Sequence, residues 1–334
     1  MSDRSEAAGI ALGERLLAGD RRTLARLLSH VEAEDAVGRA GLTRVYPATG
    51  RGHRIGVTGP PGAGKSTLVN AVIGVYRDLG RQVGVLAIDP SSPLTGGATL
   101  GDRIRMVDRY ADEGVFIRSL ASRGQRGGLA RATIAAAHLL DAAGFDPILI
   151  ETVGAGQDEV AIAAAAHSVV VVQVPGLGDD IQTIKAGILE IGDLLVVNKA
   201  DRPGAEITAR DLRRMLALGT GAKPWTPPVL LTSASTGQGV VELQGALDVH
   251  RSALETTPAG HGATGSAWDE RVRGIAGGEV RALLRITLER WLDRGGRDGT
   301  VVAAIADVAS RRRTATDAAE ALVRGAVRDL DPAG

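Results

Sequence analysis

The chain has 334 residues, equal numbers of basic and acidic side chains (39 Lys+Arg and 39 Asp+Glu) and no cysteine. A formal net charge of zero gives no reason to expect nucleic acid or an anionic membrane as the main partner, and the lack of cysteine excludes disulfides and thiolate metal sites. We expect a cytoplasmic protein, because the N-terminus does not resemble a signal peptide and the most apolar run, residues 160–174, is too short to span a bilayer.

Residues 1–50 predict an N-terminal helical extension. Leucines recur at helical intervals over residues 8–33, which is typical of an amphipathic helix. A turn that contains two glycines, residues 49–52, then separates this extension from the first apolar strand, residues 55–57. We therefore expect a new domain to begin near residue 51.

A phosphate-binding loop follows this strand directly. Gly59–Ser66 reads GPPGAGKS, the G-x-x-x-x-G-K-[ST] pattern, between an apolar strand and helically spaced apolar residues; this order disfavours an incidental Gly/Pro-rich turn. Glycines let successive backbone N–H groups point at phosphate oxygens, and the following helix N-terminus adds partial positive charge. We expect Lys65 to reach the β- and γ-phosphates and Ser66 to bind Mg²⁺. The predicted nucleotide-binding residues of the loop are Gly59, Pro60, Pro61, Gly62, Ala63, Gly64, Lys65, Ser66 and Thr67.

Short apolar runs alternate with helical segments through the rest of residues 51–256. The runs are continuously apolar, which indicates parallel strands that are covered on both faces. We therefore predict a three-layer α/β domain of the P-loop NTPase class, with a mainly parallel sheet and helical crossovers. The predicted strands are residues 83–88, 115–117, 147–150, 168–172, 194–197 and 229–231.

Acidic residues stand at or after the ends of two predicted strands, where ligands bind in such folds. Glu151 occupies the position where a P-loop enzyme keeps the residue that holds the Mg²⁺ shell, and Gly154 is placed to offer its N–H to the γ-phosphate. Asp89 ends another strand, and Asp102 lies in the Gly- and Ser-rich segment after it; two such carboxylates suit Mg²⁺. Each residue also has an alternative interpretation. Glu151 would be an exposed carboxylate at a strand end, Asp89 a turn residue and Asp102 a helix cap.

Asn198, Lys199 and Asp201 form an NKxD motif at the end of a later predicted strand. An aspartate in this place accepts hydrogen bonds from N1–H and the exocyclic amine of guanine, whereas adenine presents an acceptor at N1 and no 2-amino group. Ser233 and Ala234 follow the next strand, where a backbone N–H can read the guanine carbonyl. The sequence therefore favours GTP and GDP over adenine nucleotides.

Residues 257–334 predict a linker followed by helices. Small residues dominate 257–266, and apolar residues recur at helical spacing over 268–294 and 315–329. The apolar face of the first of these helices is too large to remain in water. It packs on the domain or on another copy of the chain, and the sequence leaves both arrangements open.

These motifs together resemble those of the MeaB family, P-loop GTPases that act as chaperones of adenosylcobalamin-dependent acyl-CoA mutases. The resemblance extends over roughly residues 10–290, and its DPSSP…GDRIRM block is far more specific than the phosphate loop. Asp158, Leu177 and Asp180 depart from the family pattern, which is expected to have Ser, Ala and Glu there. The segments that carry the resemblance are GPPGAGKST, AIDPSSPLTGGATLGDRIRM, FIRSLASRG, ETVGAGQDEV, VPGLGDDIQTIKAGILEIGDLLVVNKAD and SASTGQG.

The resemblance implies a homodimer whose C-terminal helices form a dimerisation arm. It also implies a switch loop at residues 175–185, in which Gln182 and Lys185 approach the nucleotide when the mutase is bound. A lysine at the γ-phosphate stabilises transition-state charge as an arginine finger does. The catalytic residues implied in this way are Lys65, Asp89, Asp102, Glu151, Gln182 and Lys185, and the Mg²⁺ ligands are Ser66, Asp89, Asp102 and Glu151.

The sequence thus predicts a Mg²⁺-dependent GTPase that hydrolyses GTP to GDP and phosphate. As a chaperone, it would gate cofactor loading and protection of an adenosylcobalamin-dependent mutase of the methylmalonyl-CoA mutase type. A P-loop ATPase or small-molecule kinase is the alternative, against which the NKAD sequence argues. A scaffold that binds nucleotide without turnover is a third hypothesis.

Overall fold

The computed structural model describes residues 3–89, 112–121, 131–152, 162–176, 190–218, 225–260, 264–297 and 299–330. The chain divides into two compact units, Met1–Ala276 and Gly277–Gly334. The first unit contains the whole sheet and every described residue that the sequence assigns to the nucleotide site.

A seven-stranded sheet in the order β3-β2-β4-β1-β5-β6-β7 forms the centre of the first unit. Every neighbouring pair of strands is parallel, so the predicted three-layer P-loop fold is confirmed. Parallel strands buried on both faces need continuous apolar sequence, and these strands have it. The strands are β1 (Arg54–Thr58), β2 (Val83–Asp89), β3 (Val115–Ala121), β4 (Ile148–Thr152), β5 (Ser168–Gln173), β6 (Leu194–Val197) and β7 (Val229–Leu231).

Helices cover both faces of this sheet. Alternate side chains of β1 and β2 point to opposite faces: Ile55 and Val83 join an apolar cluster with α4 and α7, whereas a Cβ at Gly84 would meet Leu140 of α5. The described helices of the first unit are α1 (Asp3–Leu17), α2 (Arg21–Glu32), α3 (Ala36–Val45), α4 (Lys65–Asp78), α5 (Arg131–Ala142), α6 (Ala205–Leu218) and α7 (Val240–Thr256), followed by the first part of α8 (Ala267–Arg297).

The amphipathic helical segment predicted for residues 8–33 is divided between two helices. Gly19 adopts φ +90°, and Asp20 caps a new helix by accepting a hydrogen bond from the Arg22 N–H at 3.1 Å, so the leucines belong to two helices, α1 and α2. The structure adds α3, which the sequence did not indicate. A Cβ at Gly41 of α3 would lie 2.4 Å from the Leu27 side chain of α2. Glycine at this position therefore lets the two helices pack closely, although it weakens the helical pattern in the sequence.

The second unit contains the rest of α8 together with α9 (Thr300–Ala309) and α10 (Ala315–Leu330). Trp291 of α8 is buried against α10, where a Cβ at Gly325 would lie 3.4 Å from its ring. The sequence analysis missed α9, a short and almost wholly apolar segment in which β-branched residues lower the helix propensity. Each of the three helices exposes large apolar side chains, among them Leu284, Ile305 and Val327.

Buried imidazoles line the lower edge of the sheet, where the strands begin. Ser168 Oγ lies 2.7 Å from His53 Nε2 and 2.6 Å from His250 Nδ1, and the His167 ring stacks on Trp268 with ring centroids 4.1 Å apart. Burial disfavours the charged form and lowers the pKa of His53 to about 3 and that of His167 to about 2. Burial also lowers the pKa of His250. These imidazoles are therefore neutral in the folded protein at neutral pH.

We predict that acid weakens the fold well before the carboxylates titrate. In the unfolded chain His53 and His167 take up protons below about pH 6.5, whereas in the folded chain they stay neutral, so the stability they contribute is present above pH 6.5 and falls as the pH drops. Each imidazole accounts for a loss of about 2 kcal/mol in the free energy of unfolding between pH 6.5 and 5. Urea unfolding at pH 7, 6 and 5 measures it. The substitution His167→Gln should flatten this dependence; an unchanged slope would contradict the assignment.

Candidate functional site

The phosphate-binding loop lies between the upper end of β1 and the start of α4. Gly59 has φ +142°, and a Cβ there would come within 2.1 Å of the Val172 carbonyl oxygen; Gly64 has φ +83°. Only glycine tolerates both the positive φ and the close approach. The first i−4 bond of α4 runs from Leu68 N to Gly64 O at 2.9 Å, so the N–H groups before Leu68 lie at the helix N-terminus, where an anion is favoured.

Lys65 is folded back over this loop. Its side chain is buried, and Nζ donates hydrogen bonds to the carbonyl oxygens of Gly59 at 2.9 Å and of Pro60 at 3.0 Å. A buried ammonium is costly without oxygen partners, and these two carbonyls hold the charge at the centre of the loop. A phosphate that enters the loop would meet a cation that is already in place.

A hydroxyl and a carboxylate meet beside the loop. Ser66 Oγ, in the first turn of α4, donates to Glu151 Oε1 of β4 at 2.6 Å, and both side chains are buried. Hydroxyl and carboxylate oxygens are hard ligands that Mg²⁺ prefers, so this pair fits the metal that the sequence predicted. Among the described residues no three His, Cys, Asp or Glu side chains cluster as a metal site.

Asn198 joins three loops at the upper edge of the sheet. Its Nδ2 donates to the Ala63 carbonyl oxygen of the phosphate-binding loop at 2.8 Å. Its Oδ1 accepts from Thr232 Oγ1 and from the Ala234 N–H, both at 3.2 Å. The side chain is only 1% exposed, so its amide is fully committed to holding the loops together. Sequence reasoning missed Thr232, whose role becomes visible only once β6 and β7 are paired.

The carboxylate of Asp201 is held by a hydroxyl from the next loop. Ser233 Oγ donates to Asp201 Oδ1 at 2.6 Å, and this hydrogen bond holds the pKa of the exposed carboxyl below its usual range. The carboxylate is therefore ionised at neutral pH and acts only as an acceptor. Lys199, with φ +59°, donates from Nζ to the Gly62 carbonyl oxygen at 2.7 Å, so the motif and the phosphate-binding loop contact each other twice.

The structure brings together most of the sequence-predicted site residues. The phosphate-binding loop, Ser66 with Glu151, the NKxD residues and the pair Ser233–Ala234 all lie at the carboxyl ends of neighbouring parallel strands. Asp89 ends β2 next to β4, and only its backbone is described. The remaining predicted residues, Asp102, Gly154, Gln182 and Lys185, lie outside the described residues.

The family model described as methylmalonyl Co-A mutase-associated GTPase MeaB matches residues 24–276. The chain belongs to this family. A putative GTPase of Pyrococcus horikoshii is 47% identical over 283 residues, which are 84% of this chain and 89% of that protein. The GTPase ArgK of Escherichia coli is 38% identical over 254 residues, 72% of this chain and 75% of that one.

A solved structure described as an LAO/AO transport system kinase has a similar fold. It superposes with a TM-score of 0.70 at 26% identity, and the alignment covers 97% of this chain and 98% of that one. The family model, the relatives and this fold agree on a nucleotide-binding GTPase of the MeaB type. None of the described helices is both long and apolar enough to cross a membrane.

Two glycines of the phosphate-binding loop make a matched pair for testing its geometry. A Cβ at Gly64 would come within 2.6 Å of Asn198 Nδ2, whereas a Cβ at Gly62, φ +76°, would meet nothing within 4 Å. We predict that Gly62→Ala costs about 1 kcal/mol from its left-handed backbone alone, and that Gly64→Ala also displaces Asn198 and abolishes binding of a fluorescent GDP analogue. Thermal melting and fluorescence titration measure both effects. Equal loss of binding in the two variants would contradict the close contact.

Proposed function

We propose that this protein is a Mg²⁺-dependent GTPase that acts as a chaperone for an adenosylcobalamin-dependent acyl-CoA mutase. The observation that carries the guanine assignment is the ionised Asp201 carboxylate, exposed to solvent and fixed by Ser233 at 2.6 Å. An acceptor-only group held in this way matches the two donors on the guanine edge and repels N1 of adenine. The mutase association rests on the description of the matching family.

The described side chains suit phosphoryl transfer to water. Lys65 supplies a cation at the β- and γ-phosphates, and the N-terminus of α4 adds backbone N–H groups. Both stabilise the negative charge that develops on the phosphate oxygens during transfer. Ser66 and Glu151 would hold Mg²⁺, together with Asp89 and Asp102, which the resemblance assigns to the metal. Bound there, Mg²⁺ neutralises charge on the phosphate oxygens.

The resemblance assigns Gln182 and Lys185 to a switch loop, in which they would approach the nucleotide when the mutase binds. Gly154, which follows Glu151 in the sequence, would offer its N–H to the γ-phosphate. On this proposal hydrolysis is slow in the isolated protein and faster in the complex, and the conformational change gates delivery and protection of the cofactor.

We also propose a homodimer formed through the C-terminal helices. The large apolar side chains exposed on α8, α9 and α10 support self-association, since burying them against a second copy is favourable. With this arm at residues 257–334, the chain would comprise an N-terminal extension at 1–50 and a GTPase domain at 51–256. Light scattering that reports a monomer at micromolar concentration would contradict the dimer.

Hydrolysis of GTP and ATP, with and without a purified adenosylcobalamin-dependent mutase, tests the proposal. We expect slow GTP turnover that the mutase accelerates, no comparable ATP turnover, and loss of activity in Lys65→Ala with the circular dichroism spectrum retained. If ATP is preferred, the kinase or ATPase alternative gains support. If GTP binds without turnover, the protein is a scaffold, and if the mutase changes nothing, the chaperone role is wrong.

The substitution Asp201→Asn tests how the base is recognised. An asparagine presents an amide donor where the carboxylate accepted the guanine 2-amino group, so GTP should bind at least about tenfold more weakly. Xanthosine triphosphate carries a carbonyl at that position and should lose less affinity or gain it. Competition titrations against a fluorescent nucleotide measure both. Equal weakening of the two nucleotides would show that Asp201 does not read the base.

A further inference from the structure

Asp193 connects the start of β6 to its neighbours at the lower edge of the sheet. Its backbone N–H donates to the Val169 carbonyl oxygen of β5 at 2.9 Å, and its Oδ2 accepts from the Val169 N–H, also at 2.9 Å. Its carbonyl oxygen accepts from Trp225 Nε1 at 2.8 Å. Asn198 comes five residues later, directly after β6, so Asp193 fixes the position of this strand at the end opposite the guanine motif.

The first turns of α8 contact the same aspartate. Arg271 donates from Nη2 to Asp193 Oδ1 at 2.6 Å, and His250 Nε2 lies 3.6 Å from the same oxygen. Trp268, one turn earlier, stacks on His167, the residue that precedes β5. The contact is largely shielded from water, with the Asp193 side chain 14% exposed. A charge-assisted hydrogen bond in such a place is stronger and more directional than a surface ion pair.

The strand between the two ends is short and rigidly packed. Leu194 to Val197 are all fully buried, and β6 is hydrogen-bonded to β5 on one side and to β7 on the other. Four residues of extended chain span about 13 Å. Close-packed interiors transmit a displacement instead of absorbing it, so a shift at Asp193 moves Asn198 and the Asp201 carboxylate that follows it.

We propose that Arg271 is a positioning residue for the guanine site, and that the first turns of α8 set guanine affinity through Asp193 and β6. This inference rests on the proposed roles of Asn198 and Asp201 in base recognition. Coupling of two sites is reciprocal, so bound guanine nucleotide in turn favours the Arg271–Asp193 contact.

The ratio of two nucleotide affinities, here called the discrimination ratio, shows whether Arg271 positions the guanine site or only stabilises the fold. Inosine diphosphate lacks the 2-amino group of guanine, so the ratio of its Kd to that of GDP reports how well Asp201 meets the base. A residue that only stabilises the fold lowers the melting temperature and leaves this ratio unchanged. A residue that positions β6 changes the ratio as well.

The experiment compares Arg271→Met with Arg81→Met in the full-length protein. Arg81 is a matched control, because it lies just before β2 and pairs with Asp248 of α7 through two 3.0 Å hydrogen bonds, away from the Arg271–Asp193 pair. Each variant is titrated with GDP and with inosine diphosphate, and its melting temperature is measured without nucleotide. Arg271→Lys keeps the charge but loses the planar guanidinium geometry, and it replaces Arg271→Met if the latter does not fold.

We expect Arg271→Met to weaken GDP binding and to reduce the discrimination ratio by about fivefold or more, with Arg271→Lys intermediate and Arg81→Met equal to the wild type. A lower melting temperature with an unchanged ratio in the Arg271 variants would overturn the inference while leaving the guanine site intact. A wild-type protein that does not distinguish GDP from inosine diphosphate would instead refute the proposed role of Asp201, and the inference with it.

Discussion

The amide of Asn198 is the interaction on which the nucleotide site depends. It is buried, it donates to the Ala63 carbonyl oxygen, and it accepts from Thr232 and Ala234. These partners belong to two loops, the phosphate loop and the loop that follows β7, and a buried amide whose hydrogen bonds are all made is expensive to disrupt. These hydrogen bonds hold the phosphate loop in register with the loops that carry the NKxD motif and Ser233, and preorganisation of this kind lowers the entropy cost of binding.

The parallel sheet explains why these loops meet. Its strands all end at one edge, so the polar residues that follow β1, β4, β6 and β7 converge there. The opposite edge has a different chemistry, with neutral imidazoles stacked and hydrogen-bonded around Ser168, and with Asp193 held by Arg271. Buried polar groups at that edge are paired with one another, as they must be away from water. Short strands connect the two edges, and apolar side chains pack against these strands on both faces of the sheet.

Much of this arrangement could be predicted from the sequence, because glycine geometry, continuous apolar strands and motif spacing are local signals. The phosphate loop, the parallel sheet and the NKxD motif are of this kind. The helix at Ala36–Val45 and the hydrogen bond from Thr232 to Asn198 could not, since each depends on packing between segments distant in sequence. The break at Gly19 is a local feature, a left-handed glycine followed by the helix-capping Asp20, which the sequence analysis missed. Glycines that fit close helix contacts look like helix breakers in the sequence alone. The histidines scattered along the chain likewise gave no sign that three of them meet at one edge.

The most direct test of the preformed guanine site is the equilibrium binding of GDP and of ADP to the purified protein, measured side by side by calorimetry. Both nucleotides offer the same phosphates to Lys65 and the loop, so any difference reports the base alone. We predict that GDP binds at least about a hundredfold more tightly, because adenine would leave the Asp201 carboxylate without its donors. Equal affinity for the two would mean that the loops joined by Asn198 do not read the base, and the central claim would be wrong.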